Sequence, residues 1–133
     1  MDRFTIRNLE ILGDGSGNGN SLLKVLDNTV SPMGARLLKR WTVMPLKDLT
    51  KINERLNTVE HFIKDVDNRS KLIQAIKQCG DVERLVSKIP LKKINPREVV
   101  HLAKGLQQVA IIKEICATSG NAYLQRLSDN LNT

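Results

Sequence analysis

Asp27-Asn28-Thr29-Val30-Ser31-Pro32-Met33-Gly34-Ala35-Arg36-Leu37-Leu38-Lys39-Arg40-Trp41, followed by Met44-Pro45-Leu46, decides the fold class. Ser31 is suited to cap a helix, and Pro32 suits the first helical position, where no N–H is needed. Met33, Leu37, Trp41 and Met44 then recur at spacings of 4, 4 and 3, one apolar stripe of a helix. Pro45 stops that helix by removing a donor and pushing Met44 out of helical geometry. The helix carries the only Trp of the chain. Trp41 is therefore expected as a core residue, whose truncation to Ala would cost about 3–5 kcal/mol.

The same reading extends in both directions. Toward the N-terminus, Phe4 to Leu12 mixes polar and apolar residues and is expected as a strand or a short extended arm. Gly13 to Asn20 is a glycine-rich loop. A phosphate loop would need Gly-Lys-Ser/Thr after it, which is missing. A calcium loop from Asp14 finds Ser16, Asn18 and Gly19 acceptably placed, but Val25 stands where a bidentate Glu is required. Ser21 to Asp27 reads as a short helix with Leu22, Leu23 and Leu26 apolar.

Toward the C-terminus, Asp48 caps a helix with Leu49, Ile52, Leu56, Val59, Phe62 or Ile63, and Val66 at helical spacing. His61 lies in it with no second ligand nearby. Asp67 or Ser70 opens a further helix, which Gly80 ends. Asp81 caps the next, with Val82, Leu85, Val86 and Ile89 facing inward and Pro90 ending it. Asn95-Pro96-Arg97-Glu98 is a capping box with proline at the first position. The helix it starts runs to about Ala117, with Val99, Leu102, Leu106, Val109, Ile112 and Cys116 on one stripe and Ile111 and Ile115 on a second apolar edge. His101 and Gly105 sit within it, and neither has a companion that suggests chemistry. Tyr123, Leu124, Leu127 and Leu131 mark a last helix. The expected fold is all-α, a multi-helical bundle with a short extended N-terminal arm. Residues 1–20 form the arm and loop, and 21–133 are helical.

Composition narrows the function. Aromatic residues are only 3% of 133, too few for a platform that stacks single-stranded bases. The formal charge of +7 favours a polyanionic partner. It is concentrated: residues 33–47 hold Arg36, Lys39, Arg40 and Lys47 with no carboxylate, and residues 84–104 hold Arg84, Lys88, Lys92, Lys93, Arg97 and Lys104 against Glu98 alone. These runs are either two solvated faces or a surface for phosphate or an acidic partner. Cys79 and Cys116 lack metal or redox spacing and are expected to stay reduced in the cytosol. No apolar run reaches the length of a membrane span. Asp81, Glu83 and Arg84 suggest capping plus an ion pair that locks helices together, with Arg55 or Arg36 as further partners. Acid–base catalysis by the acid pair is the alternative. No nucleophile–base pair, metal set or phosphate loop emerges.

The ordered string from Thr5-Ile6-Arg7-Asn8-Leu9-Glu10-Ile11, through Thr29–Trp41 and Pro45-Leu46, resembles the MutS family of DNA mismatch repair proteins. So do Ile52-Asn53-Glu54-Arg55-Leu56, Gly80-Asp81-Val82-Glu83-Arg84-Leu85 and Asn95-Pro96-Arg97-Glu98. The resemblance covers nearly the whole chain and implies the start of the core or lever domain, residues 1–133, as an excised piece of a longer ATPase. It implies a cytoplasmic structural and allosteric link between the ATPase and the clamp on mismatched DNA, with Trp41, Arg55, Asp81, Glu83 and Arg84 as structural locks. ATP and Mg would belong to the parent, and no cofactor to this piece. Partners implied are mismatched duplex DNA through the parent, the remaining domains and a parent dimer, with no membrane. The piece alone would self-associate through the Ile111–Ile115 edge of the lever helix. The alternative is a sequence-independent module that binds the DNA backbone through Arg36, Lys39, Arg40, Lys92, Lys93 and Arg97.

Overall fold

The computed structural model describes residues 2–13 and 20–132. The stretch from Asp14 to Gly19, weighed above as a phosphate or calcium loop, lies outside the described residues. The described residues are helical and contain no strand, and they divide into two compact units, 1–47 and 48–133.

In the first unit, α1 spans Arg3–Asn8, α2 Leu22–Leu26 and α3 Pro32–Val43. The expected extended arm is instead the helix α1. Asp2 accounts for the difference: its carboxylate accepts from the Thr5 backbone N–H at 2.8 Å and from Thr5 Oγ1 at 3.0 Å. An N-cap satisfies donors that an extended start would leave to water. After α1 the chain turns, and the N–H groups of Leu22 and Leu23 donate to the carbonyls of Glu10 and Ile11, each at 3.0 Å. This clasp holds the start of α2 against the turn after α1, where Ile11 and Ser21 are buried. An Asp27–Thr29 turn joins α2 to α3, with Thr29 Oγ1 donating to Asp27 at 2.6 Å.

Ser31 caps α3 as read, accepting from the Gly34 N–H at 3.1 Å, and Met44 ends it just before Pro45. Its buried side differs from the expected one. Leu37, Trp41 and Met44 are exposed, Trp41 by 38%. The better covered positions are Ser31, Ala35, Leu38 and Thr42, one face over. Within this unit α3 packs on α2, which is five residues long and covers one narrow face.

The second unit contains α4 (Leu49–Lys64), α5 (Val66–Cys79), α6 (Val82–Lys88), α7 (Pro96–Thr118) and α8 (Ala122–Asp129). The helix α7 is its axis, packed by α5, α6 and α8, while α4 packs on α5 and α8. Asp65 is both the end of α4 and the cap of α5, accepting from the Asn68 N–H at 3.1 Å; it displaces the expected Asp67 or Ser70. Arg69 Nη1 donates to the Phe62 carbonyl at 3.2 Å and satisfies the end of α4.

The buried apolar residues of this unit are Ala75, Cys79, Ile115, Cys116 and Leu124, with Gly105, Ser119 and Ser128 among them. Arg126 of α8 pairs with Glu54 of α4. The apolar stripe of α4 is not part of this core: Leu49 is 70% and Leu56 60% exposed, and Val59 and Ile63 are exposed with them. The helix is covered around Ile52, Arg55, Thr58 and Phe62, so Ile52 and Phe62 are the half-buried members of the expected stripe. In α6, Val82 and Leu85 are half-buried as expected, whereas Val86 and Ile89 are exposed.

Two glycines set the corner where α5, α6 and α7 meet. Gly80 has φ 68° and ψ −147°, a combination nearly closed to residues with a Cβ. It lets the chain reverse between α5 and the Asp81 cap of α6. Gly105 lies under that corner. A Cβ there would stand 2.5 Å from the Cys79 carbonyl oxygen and 2.9 Å from Val82 Cγ2. The missing side chain allows α7 to run directly against backbone.

Candidate functional site

The residues singled out from the sequence fall in different settings, described unit by unit. On α3, Arg36, Lys39 and Arg40 are exposed and share one side of the helix, as residues three and four apart do. In the second unit, Lys92, Lys93 and Arg97 are exposed at the turn before α7 and in its first turn.

The proposed locks are placed as follows. Asp81 is half-buried and caps α6, accepting from the Arg84 N–H at 3.2 Å. Arg55 is half-buried on α4. Glu83 and Arg84 are exposed, so a strongly destabilising Glu83→Ala, which required a buried pair, is not expected from this geometry. Acidic Glu83 and Asp81 have no histidine or cysteine nearby that forms a metal cluster with them; among the described residues no such group of three or more exists.

A better formed polar unit was missed in the sequence. Lys88 of α6 pairs with Glu98 of α7, and Glu98 also accepts from the Asn95 N–H at 3.0 Å while Asn95 accepts from the Glu98 N–H at 2.9 Å. One carboxylate thus closes the capping box and pins α6 to α7. The capping box was legible; the Lys88 partner was not, because its reach depends on the turn between the helices.

Lys88, with help from the Asn95 N–H, holds the Glu98 carboxyl below its ordinary range. A group lowered on folding contributes stability that is complete above its unfolded pKa and is lost as pH falls through the folded value. Acidification below the ordinary carboxylate range is therefore expected to lower the melting temperature, and Glu98→Gln to reduce that dependence. Melting curves of both proteins across acid pH check this; superimposable pH profiles would contradict it. Burial pushes the Cys79 and Cys116 thiols up, away from the reactive thiolate.

An open cavity of about 430 Å³ lies between α5 and α7, lined by Asn68, Lys71, Gln78, Gln108, Glu114 and Thr118 among others. Its lining mixes amide, cation and acid with the apolar Ala75, Ile111 and Ile115. No helix of the described residues is long and apolar enough to cross a membrane. His61 packs edge-on against Phe62, with ring centroids 5.3 Å apart.

Capped helices around a glycine-defined corner define an all-α domain. The family model described as MutS domain III matches residues 4–133, and the chain belongs to that family. It is 48% identical over 132 residues to the DNA mismatch repair protein MutS of Bacteroides fragilis, and 47% identical over 132 residues to that of Bacteroides thetaiotaomicron, covering 99% of this chain in each case. The protein of the same name from Porphyromonas gingivalis is 40% identical over 131 residues, 98% of this chain. The chain spans about 15% of the length of these relatives.

Proposed function

We propose that this segment is a structural and allosteric link within a mismatch repair ATPase, joining the nucleotide-hydrolysing part to the clamp on mismatched DNA, with no catalysis of its own. The observation that carries the proposal is the corner of α5, α6 and α7. Gly80, Gly105 and the Lys88–Glu98 pair fix the direction of the 23-residue α7, which spans about 34 Å at 1.5 Å per residue. A helix of that length, packed along its course by α5, α6 and α8, would pass a rotation at the corner to the helices around it as one body.

ATP and Mg would be held elsewhere in the parent, which would act in the cytoplasm, as a dimer, on mismatched duplex DNA. The open stripe of α4, Leu49, Leu56, Val59 and Ile63, would be covered by remaining domains, since the matching relatives extend far beyond this segment. In the isolated chain that stripe is the surface for self-association. The expected Ile111–Ile115 edge does not serve, because Ile115 is buried in the core and only Ile111 is open.

The reading is tested by titrating the chain with a matched duplex and with the same duplex carrying one mismatch. Equal affinity for the two and no ATP hydrolysis are expected. Preference for the mismatch would place detection in this segment and overturn the proposal.

A further inference from the structure

Arg97, His101 and Lys104 are spaced four and three apart on α7 and are all exposed. They share one face of the helix. Farther along, the same face continues through Gln108, Ile111 and Ile115, which line the cavity against α5. Gly105 marks where the end of α5 meets α7 at the Cys79 carbonyl. Before that crossing the face has no α5 to pack on, and its residues change from apolar to basic.

Lys92 and Lys93 stand at the head of this stripe. The Lys92 N–H donates to the Ile89 carbonyl at 2.9 Å and the Lys93 N–H to the Lys88 carbonyl at 3.1 Å, so the turn is wound tightly. Lys92 itself has φ 52°, in the left-handed region that disfavours a lysine. Among the described residues no carboxylate pairs with Lys92, Lys93, Arg97 or Lys104. Glu98, the only acid between Arg84 and Lys113, is occupied by Lys88.

We propose that Lys92, Lys93, Arg97 and Lys104, with His101 as an added ring N–H donor, form a contact for the phosphate backbone of duplex DNA. The choice of duplex DNA as the polyanion rests on the family reading above; the site itself rests on the stripe. Arg97 to Lys104 covers about 10 Å of helix. Duplex DNA presents a phosphate on each strand about every 3.4 Å along its axis, so the stripe spans about three phosphate steps. No side chain here is arranged to read base edges, and the contact is independent of sequence.

The test is the salt dependence of binding to a matched 30-base-pair duplex. Four phosphate contacts predict a slope of log K against log salt of about −3.6. The variant Lys93→Gln, Arg97→Gln, Lys104→Gln is expected to flatten it to about −0.9. The control Lys51→Gln, Lys71→Gln, Lys77→Gln removes the same charge from exposed positions of α4 and α5 and is expected to keep the wild-type slope. Absent or salt-insensitive binding by the wild type, or equal flattening by both triple variants, would overturn the proposal. Should the stripe variant lose helicity by circular dichroism, the single variants Arg97→Gln and Lys104→Gln decide it. Each is expected to flatten the slope by about 0.9, and unchanged slopes would overturn it. Failure here leaves the scaffold reading standing, which the mismatch comparison addresses separately.

Discussion

Gly105→Ala is expected to destabilise the second unit by about 2–3 kcal/mol, although alanine is the better helix former by about 1 kcal/mol. The added Cβ meets the Cys79 carbonyl at 2.5 Å, and that oxygen belongs to backbone at the end of α5. It cannot rotate away as a side-chain tip would, so α7 must shift outward and loosen Val82 and the Lys88–Glu98 pair together. Urea denaturation followed by circular dichroism measures the effect. A stabilised Gly105→Ala protein would mean that α7 does not approach the corner this closely. Gly105→Leu, which adds three further carbons at the same contact, is expected to leave no cooperative transition.

Leu124→Ala is the second large effect, with an expected loss of about 2–5 kcal/mol. Leu124 is only 4% exposed and joins Ile115 and Cys116 in a small buried set, so few neighbours can close the cavity left behind. The loss should release α8 from α7, and with it the Arg126–Glu54 pair that ties α8 to α4. Leu127→Ala on the same helix is the comparison: Leu127 is 39% exposed, and its truncation should cost much less. Equal losses at the two positions in urea would contradict the placement of α8.

These effects also show what the chain discloses by itself. The caps at Ser31, Asp48, Asp81 and Asn95 were legible because capping is local, a side chain reaching an N–H two or three residues on. Asp2 and Asp65 follow the same chemistry and were passed over. The first opens a six-residue helix with little periodicity, and the second serves two helices at once with only itself between them. Apolar stripes on α3 and α4 were legible as stripes, but periodicity names a face without naming its partner. Leu37, Trp41, Leu49 and Leu56 therefore read as core and are exposed.

Membership in the mismatch repair family was readable from the Ser31–Trp41 and Gly80–Leu85 strings, and the family match bears it out. Gly80 was legible as the stop of α5, and its positive φ bears that out; the reason for Gly105 was not readable, since it lies in a crossing with Cys79, 26 residues away in number. An isolated glycine inside a good helical pattern was the available signal. Charge was visible in the runs at 33–47 and 84–104. The register that aligns Arg97 with Lys104 follows once Pro96 is taken as the first residue of α7.

The central claim is that the corner beneath α7 transmits state rather than performing chemistry. The direct measurement is made in a chimera carrying residues 4–133 in place of the matched segment of the Bacteroides fragilis relative. ATP turnover is measured with and without mismatched duplex, before and after Gly105→Ala. The account predicts that turnover without DNA survives the substitution while the response to mismatched DNA is lost. A Gly105→Ala chimera whose turnover responds to the mismatch as fully as the unsubstituted one would contradict it.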